Sequence, residues 1–170
     1  MIHLRDLLAE ITLGHVEPYA TQFTWSVTGA GYETKVQCDG VTVVFMMESQ
    51  YSADGEEYSF AIAMPSNTGS GFTVSHWRSN VGGTLSYLRL LQTAGEAILD
   101  FCAQYAPDAI DLTGFDTDAE KDLQKTRIYR NLLHANANKI TAAGYVIYDQ
   151  TGKLYLIARR RYDATGIEDD

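Results

Sequence analysis

Residues 107–159 read PDAIDLTGFDTDAEKDLQKTRIYRNLLHANANKITAAGYVIYDQTGKLYLIAR, and this stretch decides the fold. Pro107-Asp108 stops the helical pattern before it and opens Ala109–Thr113 (AIDLT), which reads as a short strand. Thr117 or Asp118 supplies a side-chain oxygen suited to capping a helix start. Leu123, Ile128, Leu132, Leu133, Ala137 and Ile140 then recur at helical spacing, which predicts a helix to about Ala142. Gly144 is placed to end it. Tyr145–Asp149 and Lys153–Arg159 alternate on either side of Gln150-Thr151-Gly152-Lys153, the pattern of two strands joined by a tight turn.

Upstream, Arg78–Thr84 (RSNVGGT) leads into a second long helix. Leu85, Leu88, Leu91, Ile98, Leu99 and Cys102 mark its apolar stripe through Tyr105. Gly95 within it predicts a close helix–sheet contact. Gly82-Gly83-Thr84 at the helix start leaves backbone N–H groups able to face an anion. The same residues also read as a flexible turn with Thr84 as N-cap.

The first half alternates instead. After a short amphipathic helix over His3–Ile11, Gln22–Thr28 places Phe23, Trp25 and Val27 on one expected buried face. Tyr32–Cys38 and Val41–Met47 flank Asp39-Gly40, a strong hairpin signal. Val41–Met47 is apolar on both faces and so is expected to be central. Tyr58–Met64 and Phe72–Trp77 read as further strands, separated by the loop 65–71. The expected class is α+β: one domain over residues 1–170, with a mixed, mostly antiparallel sheet flanked by a short N-terminal helix and two long helices. A flexible acidic tail is expected from about residue 163.

With 170 residues, 45% hydrophobic and 21% charged, the chain can bury a sizeable core. Its net charge of −9 argues against duplex nucleic acid or an anionic membrane surface as partner. The Arg159–Arg161 run reads as a solvated strand end rather than a nucleic-acid site. Cys38 and Cys102, far apart in apolar contexts, read as buried thiols of a reducing compartment. No secretory leader or membrane span is evident, so a cytoplasmic setting is expected. His76 lacks neighbouring ligands, so no metal site is expected.

Tyr129 differs in kind from its neighbours. A phenol can give a proton to a leaving thiolate or alkoxide within hydrogen-bond reach. It can equally be a core aromatic beside Leu132 and Leu133. Arg127, Arg130 and His134 share faces of the same helix by i, i+3 and i, i+4 spacing.

The order of strand, glycine loop, helix, strand, helix with an interior Tyr, Gly-aromatic and strand resembles the C-terminal half of the GNAT N-acetyltransferase fold. AGEAILDFCAQYAPDAIDLTG, KTRIYRNLL, AAGY and YLIARR look more narrowly like phage-encoded proteins with a GNAT-like fold. The likeness covers about Trp77–Arg159. It implies an acetyl-CoA site in which Arg78, Gly82, Gly83 and Thr84 hold the pyrophosphate, with Tyr129 as general acid. Val81 stands where the family loop has its first glycine. Glu48 and Glu57 are candidates for a general base. Two functions follow. The first is a phage protein that uses this fold to bind a host or phage protein in the host cytoplasm, without catalysis. The alternative is an acetyl-CoA-dependent N-acyltransferase.

Overall fold

The computed structural model describes residues 16–50, 52, 55–63, 84–113, 119–150 and 152–164, with side chains described from Leu88 in the first helix and from Thr126 in the second. The expected N-terminal helix, the loop 65–71, the strand Phe72–Trp77, His76 and the caps Thr117 and Asp118 lie outside the described residues.

Among the described residues, seven strands form one mixed, mostly antiparallel sheet: β1 (Ser26–Thr28), β2 (Gly31–Cys38), β3 (Val41–Gln50), β4 (Glu57–Ala63), β5 (Ala109–Asp111), β6 (Tyr145–Gln150) and β7 (Lys153–Ala158). Their spatial order is β1-β2-β3-β4-β5-β7-β6. Among the described residues, only β4 and β5 run parallel. The described helices are α1 (Thr84–Tyr105), α2 (Ala119–Ala135), α3 (Ala137–Ala142) and α4 (Arg159–Ala164).

The alternation of β2, β3 and β4 drives the core. Val36, Cys38, Val43, Phe45, Met47, Tyr58, Phe60 and Ile62 are all buried on one face, because side chains two apart on a strand share a face. Helices α1 and α2 cover this first face. Phe101 of α1 is the hub: Trp25, Tyr32, Tyr58 and Tyr105 lie around it at centroid distances of 5.0, 5.4, 5.1 and 4.7 Å. Three of these contacts are edge-on or nearly so, the geometry that ring quadrupoles favour. Asp39 and Gly40 close the β2–β3 hairpin with φ of 49° and 79°, which is why an Asp-Gly pair stands there.

Gly31 opens β2 opposite Glu48 of β3. A Cβ on it would sit 2.1 Å from the Met47 carbonyl oxygen, and its φ is 148°. No other residue satisfies both constraints.

Four expectations are corrected. Val27 does not share the buried face of Phe23 and Trp25; it is 79% exposed. Phe23 packs on Phe45 and Trp25 on Phe101, so contact with β3 and α1 sets burial there rather than strand alternation. Gly95 makes room for a helix rather than the sheet. Asn136 Nδ2 and Leu132 Cδ1 lie 3.0 and 3.1 Å from where its Cβ would be.

The helix expected to run to Ala142 breaks at Asn136. That residue is buried, its Nδ2 donates to the Leu132 carbonyl at 2.9 Å, and its own N–H turns back to Leu133 O. An Asn side chain competes with the helical ladder in this way. Finally, Arg159–Arg161 is not a strand end: β7 stops at Ala158 and α4 continues to Ala164, into the stretch expected as tail.

Candidate functional site

The sheet divides beyond a short ladder between β4 and β5. β4 and β5 pair over three residues, Glu57↔Ala109, Tyr58↔Ile110 and Ser59↔Asp111. Beyond that point each strand follows its other neighbour. β4 continues through Phe60–Ala63 on β3. On the other side the Leu112 N–H donates to Leu154 O at 2.8 Å, and the Leu154 N–H donates to Thr113 Oγ1 at 2.9 Å. The β4–β5 ladder therefore opens into a fork. Among the described residues, the edge of Phe60–Ala63 that faces away from β3 has no strand beside it. Asp111 secures the end of its strand by accepting from the Thr113 N–H at 2.7 Å, a side-chain turn that Asp favours.

Tyr129 stands over the fork on the first face. Its ring meets Phe60, the first residue beyond the ladder, edge-on at 5.8 Å and 75°. It is 8% exposed. The ring is therefore part of the core, the second of the two readings of this residue.

Of the residues expected at a cofactor phosphate, Arg78, Gly82 and Gly83 lie outside the described residues. Thr84 is the first residue of α1, a 22-residue helix with no acidic residue in its first turn.

The two candidate bases are not beside Tyr129. Glu57 lies at the closed end of the ladder, in an ion pair with Arg161 Nη2 at 2.5 Å. Glu48 lies on the second face, since its neighbour Met47 is buried on the first. Across the sheet Glu48 heads one row with Ser59, Asp111, Tyr155 and Tyr148. That row is the last complete one before the fork.

Arg130 and His134 have structural partners. Arg130 Nε and Nη2 donate to the two carboxylate oxygens of Asp149 at 2.6 and 3.0 Å, and His134 Nε2 lies 3.7 Å from the same group. The Arg130 hydrogen bond holds the Asp149 carboxyl below its ordinary range. The sequence placed these cations on one helix face but could not reveal an acceptor 19 residues away.

Cys38 and Cys102 are free and buried. Burial pushes each thiol up to about 12, so neither is a nucleophile near neutral pH. Among the described residues no three metal-ligating side chains cluster, and no helix is long and apolar enough to cross a membrane. Comparison with protein-family models, with curated proteins and with solved structures gave no match.

Proposed function

We propose that the protein binds acetyl-CoA and transfers the acetyl group to an amine, on a GNAT-like plan. The observation that carries this reading is the fork between β4 and β5. An open strand edge offers backbone donors and acceptors to an amide-bearing chain, and the pantetheine arm of coenzyme A carries two amides. The start of α1 offers the free backbone N–H groups that a pyrophosphate would need.

In the reaction the amine nitrogen attacks the thioester carbonyl and the C–S bond breaks. Tyr129 gives its proton to the departing thiolate, and the proton lost by the amine passes to water or to Glu48 on the second face. Tyr129 is then reprotonated by solvent.

Isothermal titration with acetyl-CoA tests binding, with micromolar affinity expected; no heat at high micromolar ligand overturns the reading. With an active amine in hand, Tyr129→Phe should lower kcat about 10²-fold with little change in the KM for acetyl-CoA.

A second reading follows from the bases. Glu57 is held by Arg161, Glu48 faces away from Tyr129, and Val81 departs from the glycine pattern of the loop. These features suit a protein that keeps the fold and binds a host or phage protein without catalysis. Binding of acetyl-CoA with no turnover over a broad amine panel, together with recovery of one reproducible partner from host lysate, would favour it.

A further inference from the structure

The closed end of the β4–β5 ladder is gripped by one short element, α4. Successive helical residues point about 100° apart, so the neighbours Arg160 and Arg161 reach to opposite sides of the seam. Arg161 Nη2 meets Glu57 Oε1 of β4 at 2.5 Å. Arg160 Nη2 donates to Asp108 Oδ1 at 2.9 Å and to the Ala106 carbonyl at 3.0 Å, where the chain enters β5. Asp108 carries the grip back to the β4 side. Its Oδ2 accepts from the Glu56 N–H at 2.8 Å, and its own N–H donates to Glu56 O at 2.9 Å.

Three features set this grip apart from ordinary packing. None of the six residues of α4 is buried or packed on the hydrophobic core, so the helix has no apolar anchor there. Ala106, whose carbonyl Arg160 holds, sits at φ 46°, in the left-handed region that a Cβ disfavours. It also joins α1 to β5, because its N–H donates to Cys102 O at 3.0 Å. Backbone strain of this kind persists only where surrounding contacts enforce it, and it gathers at elements that switch. The ladder itself has only three rows, so its stability depends on what ties its ends.

We propose that α4 is a latch on the β4–β5 seam, held shut by Arg160 and Arg161 and opened by release of the helix. While α4 is docked, Arg160 holds the left-handed turn at Ala106, and the two arginines keep the ends of β4 and β5 together. When α4 lifts, the turn relaxes, the ladder parts from its closed end, and the fork extends through the seam. The Arg161–Glu57 pair is the more sheltered, with side chains 23% and 24% exposed, whereas the Arg160 side chain is 61% exposed. Salt should therefore loosen Arg160 first. The latch acts whether or not the fork binds acetyl-CoA, and its test uses no ligand.

The test is hydrogen exchange of the full-length protein, read by mass spectrometry over residues 56–59 and 106–111, with the β2–β3 hairpin as reference. Replacing both arginines, Arg160→Gln with Arg161→Gln, should speed exchange in the two seam segments by about tenfold or more and leave the hairpin at its wild-type rate. In wild type, raising salt from about 0.05 M to about 1 M should speed the same segments by about threefold, and Arg160→Gln should remove most of that response. Ala106→Gly in the Arg160→Gln background relieves the strained turn and should return at least about half of the lost protection. The salt titration needs no variant, so it decides the matter if the double variant fails to fold. Seam exchange unchanged in the double variant or in high salt, a hairpin accelerated as much as the seam, or no rescue by Ala106→Gly would each overturn the latch.

Discussion

The two sides of the sheet are held by different forces. The β1–β4 side is sequence-local: each strand pairs with the next, and its face is sealed by apolar contact, with Phe101 touching four aromatic rings. The β5–β7–β6 side is assembled from separated segments and leans on polar ties. Arg130 clamps Asp149 at the end of β6. The Tyr145 hydroxyl donates to Pro107 O at 2.8 Å. Asp108 accepts from Arg160 at 2.9 Å and from the Glu56 N–H at 2.8 Å. Apolar burial is indifferent to pH and salt, while charged hydrogen bonds are not. The two sides should therefore fail under different conditions.

The largest effect should come from the apolar side. Phe101→Ala removes the hub of the ring cluster and should cost about 3–5 kcal/mol in chemical denaturation; a loss below about 1 kcal/mol would mean the rings do not organise this half. Gly31→Ala should follow, at about 2 kcal/mol or more, because the Met47 carbonyl is backbone and cannot step aside. Equilibrium unfolding of that single variant decides it.

On the polar side, Asp149→Asn should cost about 1 kcal/mol at neutral pH, since the pair is bidentate yet partly solvated. Its signature is the pH dependence. The Asp149 and Asp108 carboxyls are lowered from their ordinary 3.8, each first by its arginine hydrogen bond. A depressed carboxyl stabilises the fold fully above its unfolded value and loses that contribution as pH falls through the folded one. Wild type should thus lose stability below about pH 4, and the Asp149→Asn variant should lose less over the same interval. Parallel acid-unfolding curves would show that the clamp adds nothing. Raising the salt should narrow the gap between Asp149→Asn and wild type while leaving the deficit of Phe101→Ala unchanged.

The same contrast explains what could be read in advance. Asp39-Gly40, the alternation of β2 and β3 and the hairpin around Gly152 are written in neighbouring residues, so their strands were legible. The break at Asn136 was not, because it depends on a buried amide choosing the Leu132 carbonyl over the ladder. Gly95 announced a close approach but not its partner, since α1 and α2 meet only in three dimensions. At the site, Tyr129 could be singled out by its chemistry. The fork beneath it could not, because it consists of pairing that stops between segments far apart in the chain.

The three-residue β4–β5 ladder also has a consequence in time. Glu56 and Asp108, which touch beside it, are 52 residues apart in sequence. Closing so long a loop is entropically unfavourable and is offset by few contacts until the helices have docked. The hairpins of β2, β3 and β4 can form early and on their own, so the joint should be a late step in folding and an early one in local opening. The seam on which the proposed site depends is then also the seam along which the native protein breathes, and a ligand bridging the fork would slow that opening as directly as it filled the gap.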